Sequence, residues 1–290
     1  MILLRAGKAS LLVFLGACSY GLLATTVKIG YSWGYNVYDL TLVQFTTGFF
    51  MLTILLGITR DFRWTPSSKS LILAGTSIGT TGLLYYQSLN FTSVATAIIL
   101  LMQSTWMGVI WESILTKKWP SIKSLAILLL ILLGTFLGTG GDLFLNWQGV
   151  ILGLLAALSY TITIKYSGLD PIGQSPISRT WTLLLGGYFV VLFAYFFWGW
   201  QESQALIFSP DWKLWGLGSL LGVLGTFLAP LLFSMGRPNV SLGTATMMGS
   251  IELPLSILSA LILLGESVSW VQTVGLIAIL AGVILLPTNR

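Results

Sequence analysis

Ten stretches of this chain are apolar over roughly 20 residues each. They fall at 9–29, 39–59, 70–89, 93–115, 122–140, 148–166, 179–199, 212–235, 240–264 and 270–287. A helix crossing a ~30 Å hydrocarbon layer needs about 20 apolar residues. Inside such a layer every backbone N–H and C=O must be satisfied by the chain itself, which leaves helices or closed barrels. Runs of this length are twice what a barrel strand needs. The expected fold class is therefore an all-α integral membrane protein with ten transmembrane helices. Only 8% of residues are charged, 55% are apolar, and the mean hydropathy is +0.89, whereas soluble domains carry about 25% charge.

The distribution of charge supports ten crossings. With the N-terminus on the inner side, Arg5, Lys8, Arg60, Arg63, Lys69, Lys117, Lys118, Lys123, Lys165, Arg179, Arg237 and Arg290 all fall at the inner face, and only Lys28 and Lys213 fall outside. Adding or removing one span would scramble this bias. Asp39, Asp142, Glu202, Asp211 and Glu266 lean to the outer side, and nine of the twelve Trp sit at span ends or in loops, as an interfacial belt requires. Both termini are thus expected in the cytoplasm, in a bacterial inner (plasma) membrane. The net charge of +5 is a property of topology and gives no reason to expect nucleic acid. Arg5, Lys8 and Leu15-Gly16-Ala17-Cys18 imitate a lipoprotein leader, but cleavage there would remove a span that has a counterpart in the second half.

The two halves echo each other. Ser19-Tyr20 is repeated as Ser159-Tyr160, and Thr96-Ala97 as Thr244-Ala245. Leu128, Ile131, Leu132 and Gly134 return as Leu276, Ile279, Leu280 and Gly282. Each unit holds five spans, an odd number, so the second copy must run inverted. Units of 1–144 and 145–290, related in this way around a central cavity, are the pattern of carriers that alternate access to a midplane site.

One residue singles itself out. Glu252 is a lone acid near the middle of the run 240–264, which as a helix is roughly 37 Å long. A carboxyl at that depth costs about 2.5–3.5 kcal/mol on insertion scales, so it is expected to face a cavity, a partner or a proton. Pro254, two residues on, cannot donate to the carbonyl of Ser250, which opens the helix beside the acid. At the matching depth of span four, Gln103, Ser104 and Trp106 form a second polar and aromatic group, and Thr105 lies among them. Tyr20, Tyr86, Tyr160 and Trp181 complete the expected substrate-binding set, with Tyr20 and Tyr160 as symmetry mates. An aromatic cavity with one carboxylate suits a cationic or aromatic substrate. The same residues could instead be helix-packing contacts, since interhelical hydrogen bonds average only about 0.6 kcal/mol. Glu112, Lys28 and Lys165, near span ends, read as interfacial or snorkelling groups. The small-residue runs 134–138 and 218–222 read as close helix contacts.

What is missing also bounds function. The chain has no His and one Cys. It contains no glycine-rich phosphate loop with a Lys, so neither metal, cofactor nor ATP hydrolysis is expected. A lipid-acting membrane enzyme would need paired acids or a nucleophile–base set. A non-transporting scaffold or subunit is the alternative reading, under which Glu252→Gln and Gln103→Ala would leave activity in the host unchanged.

Ser19-Tyr20-Gly21 through Lys28, Ser159-Tyr160 through Lys165, and Ile251-Glu252-Leu253-Pro254 followed by Leu264-Gly265-Glu266 resemble the drug/metabolite transporter superfamily in its ten-helix EamA-like branch. The resemblance extends over nearly the whole chain. Two features depart from the family pattern: Lys117-Lys118 stands where a Glu is frequent, and span one lacks a Trp. The resemblance implies a secondary carrier, acting as a monomer or homodimer, that moves an amino acid, an amine or an aromatic or cationic compound. Export is the expected direction, with Glu252 coupling protons, although the residues alone do not separate export from uptake.

Overall fold

The structure is a computed structural model that describes residues 2–138, 146–169, 173–200, 211–264 and 268–286. Asp142, Glu202, the Gly265-Glu266 pair and Arg290 fall outside these residues, as does the side chain of Arg5. The described chain is helical throughout, with ten antiparallel spans joined by short links. Seven continuous stretches are long and apolar enough to cross a membrane on their own. Spans five (Ile122–Gly138) and ten (Trp270–Ile284) are shorter. Span three (Ser68–Ser88) is diluted by Ser70, Thr76, Ser77, Thr80 and Thr81. Together they form an integral membrane protein. The face where span one begins is called here the terminal face.

Among the described residues, five spans are not single α-helices; span seven runs from Pro176–Ala194 into a π-helical stretch, Tyr195–Gly199. Span one is Ile2–Tyr20 and Leu23–Ser32, interrupted at Gly21-Leu22. Span four breaks at Gln103 into Val94–Met102 and Ser104–Thr116. Span eight passes through a π-helical stretch, Gly222–Leu228, before Ala229–Gly236. Span nine is Leu242–Gly249 and Glu252–Leu264. The span-nine break follows from Pro254: the Ser250 carbonyl, denied its i+4 partner, accepts from Leu253 N–H at 3.3 Å, a tighter turn of the 3₁₀ kind. The span-four break is bridged by its own side chain. Gln103 Nε2 donates to the Ile99 carbonyl at 3.0 Å, and Gln103 Oε1 accepts from Trp106 Nε1 at 2.9 Å.

The packing partners exchange between halves. Span three packs on spans six and seven, and span eight, five spans on, packs on spans one and two. Spans two and seven, four and nine, and five and ten pack on each other. The tightest approach joins spans three and seven. A methyl group on Gly75 would collide with the Leu183 carbonyl, one on Gly79 with the Gly187 carbonyl, and one on Gly186 with the Ile72 carbonyl. Without an exclusion of water to drive helices together in lipid, such small-residue contacts carry the association. Gly134 and Gly138 likewise meet span ten at Gly275 and Leu276, and Gly218 and Gly222 meet span two at Val43 and Thr47.

The loop cations are less peripheral than the charge count implies. Arg179 and Arg237, expected at the inner face, are 1% and 5% exposed. Arg179 donates to the Ser234 carbonyl and Arg237 to the Val240 carbonyl. At the far end, Lys28 Nζ donates to the Leu89 carbonyl at 2.8 Å, satisfying an orphan carbonyl at the end of span three.

Candidate functional site

The breaks of spans one and nine lie against each other. Gly21 has no room for a side chain beside the Glu252 carbonyl and Leu255. The half-helix Glu252–Leu264 therefore begins next to the Gly21-Leu22 interruption. Its first residue turns its carboxyl toward span six, where the Tyr160 hydroxyl donates to Glu252 Oε1. Glu252 is 5% exposed and Tyr160 4%. Tyr20 stands edge-on to Tyr160, with ring centroids 5.8 Å apart and planes at 85°, the geometry in which a positive ring edge meets a negative face. Phe233 of span eight adds a third ring, 6.0 Å from Tyr20.

This aromatic layer floors a central cavity of about 640 Å³, counting its mouth. Its polar lining is Tyr20, Gln44, Thr81, Tyr85, Tyr86, Tyr160, Thr163, Thr226, Glu252 and Ser256, and its apolar wall includes Leu23, Phe45, Ile78, Ile98 and Leu101. Glu252 is the one carboxyl among these residues, and none of them is Lys or Arg. Most belong to the halves of their spans that run toward the face opposite the termini. A much narrower space continues on the terminal side of Tyr20 and Tyr160, lined by Thr163, Ser167, Phe233 and Ser234 among others. The tyrosine pair thus stands between two compartments.

Polar contacts fix the cavity walls. Tyr86 donates to Gln44 Oε1 at 2.9 Å, and the Tyr86 carbonyl accepts from Tyr31 at 2.7 Å. Thr226 donates to the Gln44 carbonyl at 3.0 Å, tying span eight to span two. Ser77 and Thr163 share a hydrogen bond of 2.8 Å between spans three and six. The result is an oriented wall of hydroxyl groups around a single acid. It can hold a cation by charge and by ring faces, and it offers no counter-charge to an anion.

Of the expected substrate-binding residues, Glu252, Tyr20, Tyr86 and Tyr160 line this cavity. The others lie elsewhere. Gln103 and Trp106 bond each other across the span-four break. Ser104 is buried against span six, its carbonyl 3.5 Å from the Thr161 hydroxyl. Trp181 lies against Phe49 and Phe62, with its indole N–H on Thr53 at 2.9 Å. Six polar lining residues stand outside the expected set: Gln44, Thr81, Tyr85, Thr163, Thr226 and Ser256. Gln44 belongs to the polar patch Gln44-Phe45-Thr46-Thr47 of span two, and Tyr85 adjoins Tyr86. Ser256 stands four residues after Glu252, one helical turn along the same face. Among the described residues no group of His, Cys, Asp and Glu could hold a metal.

Similarity to known proteins extends over the whole frame. The model of a family described as the EamA-like transporter family matches twice, at 7–139 and 147–288. A protein of Archaeoglobus fulgidus named as an uncharacterized transporter is 31% identical over 204 residues, covering 69% of this chain and 70% of that one. A solved crystal structure superposes with a TM-score of 0.75 over 96% of each chain at 14% identity, a likeness of fold.

Proposed function

Because this chain belongs to the EamA-like transporter family and is a membrane transporter, we propose that it is a secondary carrier of small cationic or aromatic amines that uses the cavity around Glu252. The observation that carries this reading is the composition of the cavity wall: one carboxyl, four tyrosines and no basic residue. An ammonium group facing Glu252 would also meet the ring faces of Tyr20 and Tyr160, a contact worth roughly 0.5–2 kcal/mol beyond the charge pairing. An anionic or phosphorylated substrate would find nothing to neutralise it.

Glu252 can hold a proton or a substrate cation, but not both. Competition for one carboxyl makes the carrier an exchanger, taking a proton in for each cation moved out, with the N-terminus in the cytoplasm of a bacterial inner membrane and export as its working direction. Units 1–144 and 145–290 act as inverted repeats, and the exchanged packing of span three on six and seven, and of span eight on one and two, supports this. The Tyr20–Tyr160 layer separates the two compartments and would part as the units rock.

A thermal-shift screen of the purified protein in detergent tests the substrate class, because a ligand that binds the native state raises its apparent stability. Amino acids, quaternary amines, nucleobases and sugar nucleotides should be compared. The reading expects stabilisation by amines that is lost in Glu252→Gln. Stabilisation by sugar nucleotides, or by amines equally in Glu252→Gln, would overturn it.

A further inference from the structure

The two halves differ at one contact between spans four and nine. Ser241 caps span nine and Ser93 caps span four, 148 residues earlier. The two caps are built alike. Ser241 Oγ accepts from Thr244 N–H at 3.2 Å and Ser93 Oγ accepts from Thr96 N–H at 3.1 Å. Each serine also lies 3.0 Å from the threonine hydroxyl of its own turn.

At the terminal face a carboxyl from the other half seizes this cap. Glu112, at the end of span four, accepts from Ser241 Oγ at 2.9 Å and from Gly243 N–H at 2.7 Å. Gly243 allows the approach because it has no side chain: a methyl there would stand 2.8 Å from Glu112 Oε2 and 3.3 Å from Val109 Cα. A methyl on Gly108 would likewise collide with the Thr246 side chain, so spans four and nine are clamped together at this end. The carboxylate also faces the positive end of a helix, where negative charge is favoured.

The same offset carries Glu112 to Ala260 and Gly243 to Ala95. Neither replacement can reproduce the clamp. At that place, toward the opposite face, the structure has a cleft between spans four, nine and ten, lined by Val94, Ala95, Ile98, Ile257, Ala260 and Gln272. A bond present on one side is thus matched by a gap on the other.

We infer that Glu112 is a one-sided latch that holds the carrier closed at the terminal face and leaves it open toward the opposite face at rest. This inference rests on the carrier reading and on the inverted relation of the halves. The latch must break in each cycle for the terminal face to open. Because only one half carries it, the two end states are unequal, and the molecule waits with its cavity turned away from the termini.

The test is a pair of spin-label distances in the full-length protein on a Cys18→Ala background. One pair, at Lys118 and Asn239, reports the terminal face; the other, at Asn90 and Trp270, reports the opposite face. The wild type should give a short terminal-face distance and a long opposite-face one. Glu112→Ala should raise the reversed population at least about tenfold, the scale of one lost charge-assisted bond. Gly243→Ala, which keeps the acid but crowds it out, should shift the populations the same way. Adding Ala260→Glu together with Ala95→Gly to Glu112→Ala, which supplies the acid and clears the methyl on the other side, should make the reversed state dominant, an effect that mere loosening of the fold would not produce. Unchanged distances in Glu112→Ala and Gly243→Ala, or a Glu112→Ala/Ala260→Glu/Ala95→Gly variant that stays closed at the terminal face, would overturn the latch. Glu252→Gln separates the two readings: if amine binding is lost in it while the latch variants are inert, only the latch fails.

Discussion

Tyr160→Phe removes one oxygen from the centre of the molecule and leaves almost everything else in place. The phenyl ring keeps its edge-on contact with Tyr20, and the side chain keeps its volume, so no cavity term arises. What disappears is the hydroxyl given to Glu252 Oε1. At 5% exposure, Glu252 has little access to water to make good the loss. A buried polar group left without its partner costs roughly 1–3 kcal/mol. Glu252→Met leaves the complementary orphan, the Tyr160 hydroxyl, at a similar cost, offset by the ~2.5–3.5 kcal/mol of burying an acid in the membrane. With both polar groups gone the site becomes an apolar contact, a change that is close to neutral when shape is kept. The double variant Tyr160→Phe/Glu252→Met should therefore be more stable than the sum of the singles allows, with a coupling of about 1.5–3 kcal/mol, the range of hydrogen bonds to charged groups. Reversible unfolding in mixed detergent micelles gives all four corners of the cycle without any substrate. Additivity within about 0.5 kcal/mol, as for independent sites, would refute the pairing and with it the way Glu252 is oriented.

Gly75→Ala should destabilise by about 1–3 kcal/mol through overpacking, because the new methyl meets the Leu183 carbonyl. Gly57→Ala, with nothing within 4 Å, should be neutral or stabilising by up to about 1 kcal/mol. Equal melting shifts for the two would contradict the crossing of spans three and seven. At the opposite face, the Tyr35 hydroxyl, 2.7 Å from Asp211 Oδ2, together with the N–H groups of Leu214 and Lys213, holds the Asp211 carboxyl below its ordinary range. A carboxyl whose folded pKa is lowered contributes stability above its unfolded value, near 3.9, and loses it as pH falls through the folded one. Tyr35→Phe should therefore narrow the gap in melting temperature between neutral and acidic buffer, and an unchanged gap would remove Asp211 from the acid response.

Much of the frame was legible because lipid imposes a simple demand on length and polarity. The ten spans, the exceptional place of Glu252 and the pairing of Tyr20 with Tyr160 all follow from apolar runs and a repeat. Other features depended on which side of a helix faces inward. In a span that is apolar all round, periodicity does not separate a lipid-facing ring from a cavity-facing one, so Trp181 and Tyr86 looked equivalent, although one packs on Phe49 and the other lines the cavity. Gln103 read as a binding group because it is polar at mid-depth. Its side chain is instead consumed in mending its own helix. Gly75 and Gly79 form a small-xxx-small pair that was present in the sequence, yet its partner, Gly186-Gly187, is recognisable only once spans three and seven are known to cross. Arg179 and Arg237 counted correctly toward one face, but counting does not reveal that both fold back onto carbonyls. Glu112 stood within a turn of the interface. Its role depends on Ser241 and Gly243, more than a hundred residues away, and no local pattern links them.

The central claim is that one carboxyl, Glu252, exchanges a proton for a cationic substrate. The most direct measurement is the internal pH of proteoliposomes loaded with a pH-sensitive dye, recorded as an amine found by thermal shift is added to one side. The wild type should move protons against the amine, in proportion to amine flux. Glu252→Gln, reconstituted at the same density, should move none while still folding with its native melting behaviour. Proton movement of wild-type size in Glu252→Gln would contradict the account at its centre.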